Sequence, residues 1–559
     1  MTVKLHFHGA TRVVTGSCYM IETDQARLLI DCGMFQGSKT EKELNYRAFP
    51  FDPHALDAML LTHAHIDHAG LIPKLVKAGY GKKIHATHAT CDLCAVMLPD
   101  SGFIQESEVK QLNERNRKRG LPEVEPIYTA EDARTALEHF EGVPYRTWIT
   151  PVPGIRARYW NAGHLLGSAS IEVEVERSGQ KPLRILFSGD LGPHHKLFEP
   201  DPEAPTEFDY VVCESTYGGK DRLERTEEKR REILGGELRA AASRQGAVLI
   251  PSFAVERTQE VLVDLIALMN QGVIPNAPIF IDSPLALKAT EIFSHHAKSI
   301  ENGELLLAAL ASPYVKTTET ADESKAIARF SGFHIIVAAS GMCEAGRIRH
   351  HLKNNLFKPN ATVLLVGFQA AGTLGRLLED GAQAVKIHGE EIKVKAAIRR
   401  MEDYSGHADG PELLQWLRER LPIARMVFLT HGEEEGQVAM ASNMVSANIM
   451  AADRIERPML DDIYDVTGDM PVRRAAEVRP RISPDKMAKP DWHNDLAELM
   501  LDINDVIGKT ADEKARAVII RKLKRALADD NGNGNMPPPN KRPRNGDEGR
   551  GGARGFDEG

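Results

Sequence analysis

The sequence predicts an α/β protein of two domains, one inserted into the other and built on a mainly parallel sheet. Three observations carry that expectation. His63-x-His65-x-Asp67-His68 packs three histidines and an aspartate into six residues, where the strand-like run "ALDAMLLT" gives way to the Gly-opened helix "GLIPKLVKAGY". Asp31 and Asp190 each stand at the end of an apolar run, in a turn that contains glycine. After Glu214, apolar runs of strand length alternate with helical stretches, the pattern of a parallel sheet with crossover helices.

Taken in order, "MTVKLHFHGATRVVTGS" reads as an alternating strand, and "ARLLIDCGMFQG" as a strand over Leu28 to Ile30 that ends at Asp31. "WNAGHLLGSASIEVEVE" places His164 in a Gly-rich loop ahead of an alternating strand, and "KPLRILFSGDLG" puts Asp190 at a strand end. "FDYVVCESTYGG" is a strand ending in Glu214. A charged helix from Arg225, the strand "AVLIPS", a helix from Glu256 and the strands "PIFID", "FHIIVAASGM" and "ATVLLVGFQ" then make a second domain of about 180 residues. The chain returns to strand-end chemistry in "EDYSGHADG" and "RMVFLTHGEEEG", which carry His407 and His431.

Any one of the 21 histidines is ordinarily a satisfied structural residue, but the cluster at 63–68 points to metal. In an extended segment residues two apart share a face, so His63, His65 and Asp67 are expected to converge while the bend turns His68 away. Ligands not aimed at one centre imply two metals. Imidazole with carboxylate and no thiolate favours zinc, ahead of manganese or iron.

Composition bounds the rest. The 559 residues suffice for two large cores and a tail. No signal peptide or run of about 18 apolar residues is read, so no membrane partner is expected. Six cysteines without a disulfide framework fit a reducing cytoplasm. Cys91-x-x-Cys94 has no second pair and lies in the helical "THATCDLCAVMLPD", so it reads as a buried helix face. His6, His8, His194, His195 and His388 read as structural or surface residues. Past about residue 480, "HNDLAELMLDINDVIG" and "TADEKARAVIIRKLKRALA" read as amphipathic helices, the second opened by a capping box from Thr510 to Glu513. Their apolar faces are expected to pack on the body or on a second copy, giving a homo-oligomer. The Gly/Pro/Asn-rich stretch from Asp529 reads as disordered.

The order Asp31, H-x-H-x-D-H, His164, Asp190 resembles the metallo-β-lactamase superfamily, whose αββα fold carries a dinuclear site at one edge of its sandwich. Glu214, His407 and His431, with "PSFAVERTQE", "SGMCEAGR" and "GFQAAGTLGR", resemble its β-CASP nuclease branch, which includes the cleavage subunit of the polyadenylation machinery. The resemblance implies a β-lactamase-like domain over 1–208 and 389–480, an inserted β-CASP domain over 209–388, C-terminal helices over 481–528 and a tail over 529–559. It also implies two Zn²⁺, with Mn²⁺ ranking behind. His63, His65 and His164 would bind one, and Asp67, His68 and His431 the other. Asp190 would bridge them, and Asp31 would orient the loop.

The implied activity is hydrolysis of RNA phosphodiesters by a water whose pKa two cations lower. His407 is the motif histidine left without a metal, so it is assigned as general acid, positioned by Glu214. Arg257, Arg347 and Arg376, with Ser340-Gly341 and Ser405-Gly406, are candidate contacts for single-stranded RNA. A net charge of −9 requires such contacts to be local. A catalytically silent RNA-processing scaffold and a DNA-directed nuclease of the same branch are the alternatives. Intact ligands favour the enzyme, and His431, where the DNA-repair members carry valine, favours RNA.

Overall fold

The computed structural model describes residues 2–222, 226–367, 369, 373–474 and 481, with 503, 506–507, 510 and 512–529. The chain divides into two compact units, 1–494 and 495–559. In the first, an eight-stranded sheet runs in the spatial order Val472–Arg474, Asp462–Asp465, Val3–Phe7, Tyr19–Thr23, Arg27–Ile30, Ala58–Leu60, Ile84–Thr87, Phe140–Val143. A seven-stranded sheet runs Ile455–Glu456, Ile423–Thr430, Phe208–Glu214, Leu183–Phe187, Ala169–Val175, Ile155–Asn161, Ile149–Val152. Period-2 alternation turns Leu5, Ile21 and Leu28 of one sheet and Ile171, Phe187 and Phe428 of the other into a shared core. The Phe7 and Phe428 rings meet there at 5.0 Å. Truncating Phe428 to alanine would cost roughly 3–5 kcal/mol.

Helices cover both outer faces. The 32-residue helix His88–Arg119 packs Leu93 and Leu98 on one side. Gly410–Glu419 and Glu434–Ser446 pack Leu413, Trp416 and Met440 on the other. The result is an αββα sandwich. The inserted sheet runs Val315–Thr317, Ile279–Ile281, His334–Ala338, Ala247–Pro251, Thr362–Leu365, Ala397–Arg400, and all its pairings are parallel. Its central strands are buried throughout, which is why they read as continuous apolar runs.

Two boundaries move from their expected positions. Phe208–Glu214, expected to open the insert, pairs in parallel with Leu183–Phe187 and Ile423–Thr430 in the sandwich. Ala397–Arg400, expected beyond the insert, is the edge strand of the inserted sheet. An apolar run announces a parallel strand without saying which sheet it joins. The helix expected from Arg225 runs Glu227–Ser243, capped by the Thr226 hydroxyl accepting from the Lys229 amide at 3.2 Å. Cys94 is buried on its helix and Cys91 partly so, and all six cysteines are free.

In the second unit the helix Glu513–Asp529 is present, but its cap is Asp512, whose carboxylate accepts from the Lys514 amide at 3.1 Å. Thr510, expected to cap it, donates instead to the Val506 carbonyl at 2.7 Å. The expected helix over 493–508 and the tail past 529 lie largely outside the described residues. Among the described residues no helix is long and apolar enough to cross a membrane.

Candidate active site

Asp31, His63, Asp190, Glu214 and His431 all sit at or just past the carboxyl ends of parallel strands, at one end of the sandwich. Two donor groups form there. His63, His65, His164 and Asp190 make one and Asp67, His68 and His431 the other, with the ligand atoms of each group within 4.8 Å of one another. In the first, His65 Nδ1 lies 3.2 Å from His63 Nε2 and 3.0 Å from His164 Nε2. Asp190 Oδ2 lies 3.5 Å from His63 Nε2 and 3.6 Å from His164 Nε2. In the second, His68 Nε2 and His431 Nε2 are 3.1 Å apart. Asp190 Oδ1 is 3.2 Å from the former and 3.5 Å from the latter, and Asp67 Oδ2 is 3.6 Å from His431. Asp190 therefore turns one oxygen to each group.

The parity expectation for the cluster needs correcting. Asp67 does not join His63 and His65 but faces His431 alongside His68. The extended backbone ends at His65, and Ile66–Ala69 is a helical turn that carries Asp67 and His68 away from His63 and His65 toward His431. Gly33 packs against this turn so closely that a Cβ there would lie 1.6 Å from the Asp67 carbonyl.

Neighbours hold the outer ring nitrogens. His68 Nδ1 donates to Asp31 Oδ2 at 2.7 Å, His164 Nδ1 to the Gly406 carbonyl at 2.7 Å, and His431 Nδ1 pairs with the Thr216 hydroxyl at 3.0 Å. His63 Nδ1 lies 3.1 Å from the Thr62 hydroxyl. Each bond leaves Nε2 free to face its group, as expected for metal-ligating imidazoles. Asp31 also accepts from the Thr62 amide and hydroxyl and from Ser17, which anchors the whole loop. Asp31 and His431 both adopt left-handed backbone, φ 59° and 47°, a strain typical of functional sites.

The donor set fits divalent cations. Burial, reinforced by neighbouring imidazoles, pushes the His63 and His164 pKa values well below the usual range. Burial likewise takes His65 down to about 4. These rings are neutral at pH 7, the form that ligates metal. His68 goes the other way, because Asp190 and Asp31 outweigh its burial. Tetrahedral zinc–imidazole bonds place ligand atoms about 3.3 Å apart, close to the spacings here. Buried Asp190 Oδ1 has the His68 and His431 ring nitrogens at 3.2 and 3.5 Å and is otherwise without a hydrogen-bond donor among the described residues, which suits a carboxylate with a cation to serve.

His407 stands between the groups, 4.6 Å ring to ring from His164 and 6.0 Å from His431. Its Nδ1 is 3.2 Å from Glu214 Oε1 and 3.9 Å from Asp190 Oδ2. Glu214 is itself fixed by the Leu191 and Thr216 amides. The His407 side chain is 21% exposed, where those of His63, His68, His164 and His431 are 0–4%. Burial lowers its pKa, but the charges of Glu214 and Asp190 raise it to about 9.

The arginine candidates scatter. Arg347 donates to Asp282 Oδ1 and the Glu319 carbonyl, both at 2.6 Å, and so braces the inserted domain. Arg376 is paired with Asp380 one turn along its helix. The Ser340 hydroxyl accepts from the Glu344 and Ala345 amides of its own turn, and the Gly341 carbonyl accepts from Gln369. Arg257 is buried, donates to the Val366 carbonyl at 2.6 Å, and leaves Nε without a hydrogen-bond partner among the described residues. Ser405 lies on the His407 loop, its hydroxyl 3.4 Å from the His407 amide. Sequence reasoning missed Ser17, Thr62 and Thr216. Thr62 and Thr216 stand within two residues of a motif residue, whereas Ser17 is 14 residues from Asp31 in the chain and meets it only in the fold.

Residues 11–217 match the metallo-beta-lactamase superfamily, 258–378 the Beta-Casp domain and 391–449 the Zn-dependent metallo-hydrolase RNA specificity domain. The chain is 36% identical over 438 residues to a ribonuclease of Thermus thermophilus, covering 77% of this chain and 94% of that protein. It is 31% identical to an RNase J-like protein of Methanocaldococcus jannaschii, covering 78% and 94%. It is 29% identical to the transcription termination factor FttA of Methanosarcina mazei, covering 79% and 69%. The chain belongs to the β-CASP branch of the metallo-β-lactamase superfamily and is a metal-dependent hydrolase.

Proposed function

We propose that the protein is a ribonuclease that uses two zinc ions to hydrolyse phosphodiester bonds of single-stranded RNA, in RNA processing or decay in a reducing cytoplasm. The observation that carries the two-metal reading is Asp190, whose oxygens each face a different donor group. The ribonuclease names of two relatives support the substrate. His63, His65 and His164 would hold one cation, Asp67, His68 and His431 the other, and Asp190 both. Such a pair lowers the pKa of a shared water and stabilises charge on phosphodiester oxygens.

The chain's own contribution is to the leaving group. As water oxygen bonds to phosphorus, the bond to the departing ribose oxygen breaks, and that oxygen needs a proton. His407 carries one at neutral pH, and Glu214 holds its Nδ1 so that Nε2 is the donor. Asp31 keeps His68 oriented. Arg257, Arg347, Arg376, Ser340, Gly341 and Ser405 remain candidate RNA contacts. Elemental analysis tests the reading. Two zinc per active chain are expected, and active protein free of transition metal would contradict it.

A further inference from the structure

The loop that carries His164 is also gripped from behind. Lys196, its side chain 4% exposed, donates to the His164 carbonyl and lies 2.9 Å from Glu256 Oε1. The other Glu256 oxygen accepts from the Leu166 amide at 3.2 Å. One buried ion pair thus holds the two peptide groups that follow His164, a member of the donor group. Its members come from different domains. Lys196 follows the sandwich strand Leu183–Phe187, and Glu256 lies between Ala247–Pro251, a strand of the inserted sheet, and the helix Arg257–Asn270. Adjacent bonds repeat the tie. Asn302 Nδ2 donates to the Leu197 carbonyl at 2.8 Å, and the Glu301 amide to that of Phe198 at 2.9 Å.

Glu256 occupies φ 68°, ψ −60°, where L side chains rarely go, and it heads its helix without a capping bond. A buried ion pair adds little net stability over an apolar replacement. A strained backbone that delivers such a pair costs folding and gains position. We propose that Lys196 and Glu256 are positioning residues through which the inserted domain holds the His164 loop, so that cation affinity at the His63–His65–His164 group depends on the insert. This rests on the two-cation reading above.

The test is release of Zn²⁺ from the full-length chain to a competing chelator, read beside thermal unfolding of the metal-free protein. Lys196→Met with Glu256→Gly removes both members of the pair together and relieves the φ strain, leaving Glu199 as the buried carboxyl beside the site of the change. One of two bound Zn²⁺ should then be lost about 10–100-fold more readily, the usual effect of removing a support behind a ligand. The metal-free variant should melt no lower than wild type. If the glycine prevents folding, Lys196→Met with Glu256→Gln keeps the backbone and should show the same loss of affinity. Unchanged affinity for both ions overturns the proposal, as does equal weakening of both with a lowered melting temperature. If wild type binds a single Zn²⁺, the two-cation reading fails separately. The pair is then judged on that ion, where retention in the variant overturns it.

Discussion

The histidines at the end of the sandwich and the arginines of the inserted domain present opposite situations. At the sandwich end, ring nitrogens and two carboxylates, Asp190 and Asp67, converge at 3.0–3.6 Å, with His68 and His164 already bonded at their outer nitrogens, so the inner atoms crowd one another as ligands around a cation would. In the insert, Arg347 and Arg376 each meet a carboxylate of the same domain and are served. Both regions are rich in charge. Polar groups that converge without one-to-one pairing leave room for a cation, whereas Arg347 and Arg376 each have a carboxylate of their own.

Mutations can break that contrast. The largest effect is expected from His63→Ala with His65→Ala, which leaves one cation with too few ligands. At least one metal should be missing by elemental analysis, and RNA cleavage should fall by more than about 10⁴-fold. Next is His407→Ala. It should retain both metals and RNA affinity while the chemical step slows by about 10²–10⁴-fold in single-turnover assays. Because His407, Glu214 and Asp190 also lie within ligand distance of one another, metal loss in step with activity would instead make His407 a ligand. A p-nitrophenyl phosphodiester, whose leaving group needs no proton, should largely rescue the variant.

Glu214→Gln sharpens the same point on a smaller scale, with a loss of about 10-fold. His407 must be protonated to act, so the rate falls as pH rises through its pKa. Burial lowers that pKa, Glu214 and Asp190 bring it to about 9, and a cation drawing on Asp190 would reduce it. The alkaline limb of the pH–rate profile should therefore lie at or below about pH 9, and Glu214→Gln should move it down. An unmoved limb would separate Glu214 from His407.

The smallest catalytic effect is expected where the charge is architectural. Arg347→Met should cost about 1–3 kcal/mol in denaturant unfolding, because it strips a donor from buried Asp282, and should change cleavage little. A collapse of RNA affinity at unchanged stability would return Arg347 to the substrate site.

Much of this was legible beforehand, and the reasons differ by residue. His63, His65, His68 and Asp190 stand out because strand ends and short spacings confine them. The sheet membership of Phe208–Glu214 was not legible, because one of its two pairing partners, Ile423–Thr430, lies more than 200 residues away. The helical turn at Ile66–Ala69 escaped a period-2 reading, since one turn is too short to show a period. The fates of Arg347 and Arg376 depended on Asp282 and Asp380. An arginine carries no mark of whether its partner is a carboxylate of the chain or a phosphate.

The central claim is that this end of the sandwich cuts RNA with the aid of bound metal. The most direct measurement is a time course on single-stranded RNA labelled at either end, with zinc-loaded protein, chelator-stripped protein and a matched DNA. The account predicts RNA cleavage that disappears on stripping, returns with Zn²⁺ and leaves the DNA intact. RNA left whole by the loaded protein, or cut equally after stripping, would contradict it.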